Sequence, residues 1–190
     1  EDMARDMCDT LLAAHRSLHP LTIIAPVGPV DQYPILADMI NRQRIACHDV
    51  MIINMDEYLT DDGQWINVDH PLSFRGYMNR KFYDLLDPDL APLAENRVFP
   101  DPRDPTAVPR MIDDRGGVEV TYGGIGINAH MAFNEPEESV EIDEFATRPT
   151  RVLELSPHTR TINANTIGGD ISVVPLRAVT VGMQEILGSK

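Results

Sequence analysis

Short apolar runs that alternate with helical patterns constrain the fold of this chain more than any other feature of its sequence. Leu21 to Ala25 and Val50 to Asn54 are dominated by apolar residues, as strands buried on both faces of a sheet are. Asp31 to Arg42 carries apolar residues at helical spacing, and so does Asp2 to Leu18. Because strands alternate with helices along the chain, the sequence predicts a parallel α/β sheet.

The remaining segments continue this alternation. A turn is predicted at Pro26 to Val30, and a loop or lid at Asp61 to Asp69. A helix is predicted from Pro71 to about Leu86, because proline is favourable in the first turn of a helix. The proline-rich stretch from Asp87 to Pro109 is interpreted as a surface connection. Further strands are predicted at Val118–Tyr122, Arg151–Leu155 and Ala178–Val181, and short helices at Pro109–Asp114 and Met183–Leu187.

The composition narrows the classes of function. A chain of 190 residues suits one domain with a sizeable core, so we predict a single domain over residues 1–190. The formal net charge of -14 argues against sequence-independent binding of nucleic acid, which requires a basic face. No apolar run approaches the length of a membrane span, so no membrane partner is predicted.

Cysteine usage indicates a reducing compartment. Cys8 and Cys47 are the two cysteines, and neither belongs to a CxxC motif. We therefore expect no disulfide framework and predict a cytoplasmic protein without a signal peptide. The first residues already follow a helical pattern, which is consistent with a trimmed start.

The stretch from Gly123 to Pro136 carries the strongest functional signal. It follows an apolar strand, begins with small residues, and contains His130 and Glu135 within one loop. In a parallel α/β sheet such a loop lies at the carboxyl edge, where ligands bind. Glycines after a strand usually form only a turn, and a lone histidine is usually structural. We favour function for the whole run, because its apolar residues would partly desolvate both polar groups and tune their pKa values.

A pair of acids follows the second buried strand. Asp56 and Glu57 come directly after Val50–Asn54, at the position where α/β folds place catalytic groups. For two acids alone, a helix cap or a solvated loop would be the simpler interpretation. For Glu57 we retain a structural cap as the alternative role.

Four blocks of sequence occur in an order that identifies a family. They are Asn54–Tyr58, His70–Phe82, Gly123–Pro136 and Val174–Gly182. Together they resemble the glucosamine-6-phosphate deaminase/isomerase family, which shares its fold with 6-phosphogluconolactonases. The resemblance implies a doubly wound, Rossmann-like α/β fold in three layers, with a mostly parallel sheet and helices on both faces. It also implies a metal-free aldose–ketose isomerisation that releases ammonia and uses no cofactor.

The resemblance implies roles for individual residues. Asp56 matches the carboxylate that abstracts the proton at C2, and His130 matches the residue that assists opening of the sugar ring. Asn128 and Glu135 match positions that flank and tune this histidine, and a carboxylate there is expected to raise its pKa. A carboxylate at a strand end can reach both C2 and C1, and an imidazole titrates near neutrality, so both suit these steps. Substrate contacts are predicted for Gly28, Glu57, Gly124 and Ala132.

The phosphate end departs from the family pattern. The family's ThrGlyGlyThrPro-like turn is replaced by ProValGlyProValAsp at Pro26 to Asp31, which lacks hydroxyl groups and contains two prolines without amide donors. The family's phosphate-binding arginine falls at Asn165. The chain also stops at Lys190, before the family's last strands, helix and phosphate-binding lysine. We therefore expect weakened phosphate contacts, with Arg160 as a candidate substitute cation.

Three functions are compatible with these residues. The first is an amino-sugar phosphate isomerase/deaminase in carbohydrate metabolism. The second is an isomerase or lactonase acting on another sugar, and the third is a sugar or sugar-phosphate sensor without turnover. Retention of Asp56, His130 and Glu135 favours an enzyme, since a sensor need not keep the acid–base groups. The partner in each case is a small sugar or sugar phosphate, and a homo-oligomer is left open.

Overall fold

The computed structural model describes residues 1–17, 20–28 and 31–190. Leu18 of the first predicted helix and Pro29 and Val30 of the predicted turn lie outside these residues. No helix in the described ranges is long and apolar enough to cross a membrane. The helices are α1 (Asp2–Ser17), α2 (Gln32–Gln43), α3 (Phe74–Lys81), α4 (Ala107–Asp114), α5 (Ile142–Ala146), α6 (Pro157–Ala164) and α7 (Met183–Leu187).

Seven strands form two sheets in the described part of the chain. The larger sheet is parallel throughout, in the order β4-β2-β1-β5, and the smaller one is antiparallel, in the order β3-β7-β6. The strands are β1 (Leu21–Ala25), β2 (Val50–Asn54), β3 (Asp56–Leu59), β4 (Arg97–Val98), β5 (Val120–Thr121), β6 (Arg151–Glu154) and β7 (Arg177–Thr180).

The parallel sheet is covered on both faces, as the apolar runs predict. Ile23 and Ile52 pack in one core cluster with residues of α1 and α2, whereas their neighbours Ile24 and Ile53 pack in another with residues of α4 and α7. Successive residues of a strand point to opposite faces, so each central strand serves both clusters. The predicted α/β fold with a mostly parallel sheet is therefore confirmed.

The antiparallel sheet is a feature that the sequence analysis did not predict. Met55 joins the two sheets, since its amide donates to Ala25 of β1 and its carbonyl accepts from Val181, which follows β7. Asp56 and Glu57 therefore lie within a strand of the second sheet and not in a loop after β2. This placement pairs both acids with residues near the C-terminal end of the chain.

Several predicted boundaries move for local reasons. The helix predicted from Pro71 to Leu86 is shorter, because Ser73 caps α3 with its side chain and Phe82 leaves the helical conformation with φ -137° and ψ -69°. The strand predicted at Val118–Tyr122 keeps two residues as β5. The surface connection contains β4, and a polar segment forms α6, neither of which was predicted. Short 3-10 turns lie at Tyr83–Leu85, Ala94–Asn96, Asn165–Ile167 and Ile171–Val173.

Candidate active site

A cavity of about 530 Å³ opens at the carboxyl ends of the central parallel strands. Its walls come from the segment after β1, the start of β3, the N-terminal part of α3, the loop after β5 and one side of α6. Five of the predicted site residues line it, which brings together groups from three separate segments. They are Gly28, Asp56, Gly124, His130 and Ala132.

Asp56 lies at the floor of the cavity as the first residue of β3. Its side chain is buried, and burial is the main cause that raises its pKa to about 8. The negative charge of Glu57 raises the pKa further, whereas a hydrogen bond from the Thr180 side chain opposes the shift. A carboxyl group with a pKa close to the working pH is well suited to general acid–base catalysis.

Glu57 points away from the cavity and holds α3. Its fully buried carboxylate accepts hydrogen bonds from the Ser73 hydroxyl at 2.9 Å, the Phe74 amide at 3.1 Å and the Arg75 amide at 3.0 Å. The guanidinium of Arg75 adds an ion pair at 3.2 Å. These contacts do not support the prediction that Glu57 binds substrate, and they match the capping role kept as its alternative. A carboxylate at a helix N-terminus is favourably placed in the helix dipole.

The loop after β5 folds into a compact turn that presents His130. The amide of Gly126 donates to the carbonyl of His130 at 2.8 Å, and the amide of Ala129 donates to the carbonyl of Gly126 at 2.9 Å. Ala129 and Ala132, with φ values of 64° and 55°, adopt the left-handed conformation. That conformation costs about 1–2 kcal/mol for a residue other than glycine. Such strain is concentrated at functional sites, where the surrounding structure enforces it.

Asn128 fixes the tautomer of His130. The side-chain oxygen of Asn128 is hydrogen bonded to Nδ1 of the imidazole. An amide oxygen only accepts hydrogen bonds, so Nδ1 carries the proton and Nε2 presents a lone pair. Burial lowers the pKa of His130, and Glu135 opposes this only in part. The carboxylate of Glu135 thus raises the pKa of His130 as expected, but desolvation is the larger effect and the net shift is downward.

Glu135 holds α6 in the way that Glu57 holds α3. Its carboxylate accepts hydrogen bonds from the amide of Ser156 at 3.0 Å and from the hydroxyls of Ser156 and Thr159. Burial alone would raise the pKa of Glu135, but these hydrogen bonds lower it. Glu135 thus acts on His130 through its charge, while its hydrogen bonds fix the helix that forms one cavity wall.

Residues that the sequence analysis did not single out attach the loop to β7. The amide of Phe133 donates to the hydroxyl of Thr180 at 3.1 Å, and the side chain of Asn134 donates to the carbonyl of Val181 at 2.8 Å. Arg151 donates to the side-chain oxygen of Asn134 at 2.7 Å. The signal for Thr180 was present in the sequence, as one polar residue within the β-branched run Ala178–Val181.

The wall formed by α6 and the 3-10 turn after it is mainly polar and carries no cation in the cavity. Thr159, Asn163 and Thr166 line it together with Ile162. Arg160, the predicted substitute cation, instead donates to the carbonyls of Ile171 and Val174. No Lys or Arg is found among the cavity-lining residues that the structure describes. Within residues 1–17, 20–28 and 31–190, no group of three or more His, Cys, Asp or Glu side chains could hold a metal ion.

Comparison with known proteins agrees with the motifs. No protein-family model matches the chain. It is 32% identical to glucosamine-6-phosphate deaminase from Caenorhabditis elegans and 32% identical to that from Pectobacterium atrosepticum, in both cases over 90% of this chain. The chain spans 61% and 62% of the length of these two relatives, respectively.

Solved structures show the same relationship. A monomeric glucosamine-6-phosphate deaminase, described as a missing link of the NagB superfamily, superposes with a TM-score of 0.74 at 26% identity and covers 98% of this chain and 74% of its own. A 6-phosphogluconolactonase from Plasmodium vivax shares the fold, with a TM-score of 0.63 at 16% identity over 98% of this chain and 68% of its own. The resemblance to glucosamine-6-phosphate deaminases predicted from the motifs is therefore confirmed.

Proposed function

We propose that this chain catalyses the isomerisation and deamination of an amino-sugar phosphate, glucosamine 6-phosphate or a close variant, to a ketose phosphate and ammonia. The observation that carries the proposal is the placement of Asp56 and His130 on one cavity of about 530 Å³. That volume is typical of small-molecule sites. The relatives named glucosamine-6-phosphate deaminase support the substrate class.

Ring opening is the step assigned to His130. Its Nε2 accepts the proton of the anomeric hydroxyl and returns a proton to the ring oxygen, while Asn128 holds Nδ1. The lowered pKa keeps the imidazole neutral near pH 7, so Nε2 is available as the initial proton acceptor. Ring closure is the reverse of the same transfer.

Proton transfer between carbons is the step assigned to Asp56. Its carboxylate removes the proton from C2 of the open-chain amino aldehyde and delivers it to C1, while a proton passes from the amino nitrogen to O1. The product carries a hydroxyl group at C1 and an imine at C2. Water hydrolyses the imine to the ketone and ammonia. A pKa of about 8 makes this carboxylate a stronger base than an exposed aspartate, although only about a tenth of it is ionised at pH 7.

The decisive experiment follows the hydrogen at C2. Wild-type protein incubated with glucosamine 6-phosphate in deuterated water should release ammonia and a ketose phosphate and should exchange the C2 hydrogen. Asp56→Asn, which is isosteric, should abolish both, whereas Asp62→Asn in the exposed turn after β3 should change neither. Exchange at the wild-type rate in Asp56→Asn would overturn the assignment. Binding of the sugar without any turnover in the wild type would favour the sensor.

The location and the oligomeric state of the protein can be tested separately. The cytoplasm is the proposed location, and the two free, buried cysteines Cys8 and Cys47 support a reducing compartment. A homo-oligomer is left open as before, and size-exclusion chromatography with light scattering would determine the state in solution.

A further inference from the structure

Thr180 is the last residue of β7, the central strand of the antiparallel sheet, and lies beside Asp56, which lines the cavity. It pairs with Asp56 of β3 on one side and with Arg151 of β6 on the other. Side chains of directly paired residues project from the same face of a sheet, so the hydroxyl of Thr180 and the carboxylate of Asp56 are neighbours. Thr180 is fully buried, and Asp56 is 6% exposed.

The hydroxyl of Thr180 lies between two parts of the candidate site. It accepts a hydrogen bond from the amide of Phe133 at 3.1 Å, and the pairing of β7 with β3 places it beside the carboxylate of Asp56, where its hydrogen-bonding capacity lowers the pKa of that group. Phe133 follows His130 by three residues in the same loop. One hydroxyl group is therefore bonded to the loop that carries the imidazole and lies directly across from the base on β3.

The hydrogen-bonding capacity of a hydroxyl group decides the direction of these contacts. Thr180 has one proton, and its lone pairs accept from the amide of Phe133. The proton can go to Asp56 or to the carbonyl of Val181, which is 3.3 Å away and already accepts from Asn134 at 2.8 Å. An ionised carboxylate is the stronger acceptor, so the hydroxyl donates to Asp56 when that group is charged.

We propose that Thr180 is a positioning residue for the isomerisation: its hydroxyl orients the carboxylate of Asp56 and fixes the His130 loop relative to it. The effect of Thr180 on the reaction depends on the proposed function. The hydrogen bonds of its hydroxyl group do not depend on that function. Misplacing a reacting group by about 1 Å costs on the order of a hundredfold in rate. Loss of the Thr180 hydroxyl, which positions both Asp56 and the His130 loop, should therefore slow the reaction.

Several ionisable groups influence the same carboxylate and must be kept constant in a test. Glu57 lies next to Asp56 on β3, and its charge raises the pKa of Asp56. The hydroxyls of Tyr33 and Tyr58 are within electrostatic range of Asp56, and His130 lies on the same cavity. A substitution at Thr180 alters none of these groups.

The test compares three variants. Thr180→Val removes the hydroxyl and keeps the shape, and Thr180→Ser keeps the hydroxyl. Thr150→Val is a matched control, since Thr150 is also buried and its hydroxyl donates at 3.1 Å to a buried carboxylate, that of Glu185. Thr150 and Glu185 are not among the described residues that line the cavity.

The primary measurement needs no substrate. The carboxyl ¹³C resonance of Asp56, followed against pH, should show a pKa about one unit or more higher in Thr180→Val than in wild type, because the charged form loses a donor. Thr180→Ser should return it to within a few tenths of a unit, and Thr150→Val should leave it unchanged. An unchanged titration in folded Thr180→Val would overturn the proposal.

Kinetics provide the second readout. In Thr180→Val the acidic limb of kcat/KM should move up by the same interval and kcat should fall at least tenfold, with restoration by Thr180→Ser. Unchanged kinetics in Thr180→Val would refute the positioning role even if the titration shifts.

If the wild type shows no turnover, the proposed function fails, and the catalytic role of Thr180 fails with it. The ¹³C titration would still decide the hydrogen-bond arrangement by itself. Should Thr180→Val not fold, Thr180→Cys, with a weaker donor, replaces it in both measurements.

Discussion

The imidazole of His130 lies against the backbone of Gly126, on the side where any other residue would carry its Cβ atom. The amide of Gly126 also donates to the carbonyl of His130 at 2.8 Å, which closes the loop around this contact. Glycine is required at this position by the close approach of a ring to the backbone. The geometry ties the orientation of the imidazole to a residue that takes no part in proton transfer.

Gly126→Ala should therefore displace His130. Because the imidazole is assigned to ring opening, kcat for the cyclic sugar should fall on the order of a hundredfold, with a much smaller loss for an open-chain analogue. His130→Gln should show the same pattern. Gly123→Ala is the matched control, since its new methyl group would meet the flexible end of Met55 at 3.2 Å. Equal losses on both substrates would contradict the ring-opening role.

The pKa of Asp56 predicts an activity that rises with pH. The free enzyme needs the ionised carboxylate, whose pKa of about 8 places the acidic limb of kcat/KM near that value. The pKa of His130 is lowered, so its titration falls well below this limb and leaves it undisturbed. The profile should lose about tenfold per unit below pH 7. A plateau already reached at pH 6 would show that the base has an ordinary carboxyl pKa.

The same shift predicts that Asp56 destabilises the fold at neutral pH. Its pKa is about 8 in the folded protein against 3.8 as the ordinary value, so between these values the folded state binds more protons than the unfolded state. The contribution of Asp56 to stability is therefore greatest below pH 4 and is lost as the pH rises towards 8.

Asp56→Asn removes this penalty. The variant should unfold at higher urea concentration than wild type at pH 8, with a smaller difference at pH 5, and it should be inactive at both. Asp62→Asn, in an exposed turn, should follow the wild type at both values. If wild type and Asp56→Asn showed the same dependence of stability on pH, the side chain would not be desolvated as the structure places it.

Much of the parallel sheet could be predicted from the sequence because its signal is local. The strands at Leu21–Ala25 and Val50–Asn54 have the predicted bounds, since both faces are buried and the apolar runs are continuous. β6 alternates partly buried and exposed residues, and β3 is only four residues long and begins with two acids. The assignment of β3 to a sheet depends on pairing with β7, more than a hundred residues later, and no local pattern encodes that partner.

The candidate site shows the same division. Asp56 and His130 could be selected because each lies in a specific block of sequence, and both line the cavity. The sequence could not distinguish the structural roles of Glu57 and Glu135 from the catalytic roles of Asp56 and His130. A carboxylate that faces a cavity and one that caps a helix N-terminus have the same signature in a sequence. α6 had a local signal, Ser156 followed by Pro157, which is a typical helix start.

The phosphate end of the cavity is predicted to be altered, and binding measurements test this directly. Gly28 lines the cavity, and Asp31 begins the turn into α2 without capping it through its side chain. The charge of Asp31 reaches the cavity wall, since it contributes to raising the pKa of Tyr77. A phosphate dianion bound near α2 would therefore be repelled by Asp31.

We accordingly expect weak binding of glucosamine 6-phosphate and little discrimination against glucosamine. By calorimetry, the dissociation constants of the two ligands should lie within about tenfold of each other, which is about 1.4 kcal/mol.

Asp31→Asn should strengthen binding of the phosphate ester roughly three- to tenfold, as expected for removal of one like charge in a hydrated site, and should leave glucosamine unaffected. Asp38→Asn, on an exposed position of α2, controls for the change in net charge. Micromolar binding of the phosphate ester alone by wild type would refute the prediction. Equal gains in Asp31→Asn and Asp38→Asn would show that the effect of Asp31 is not local to the cavity.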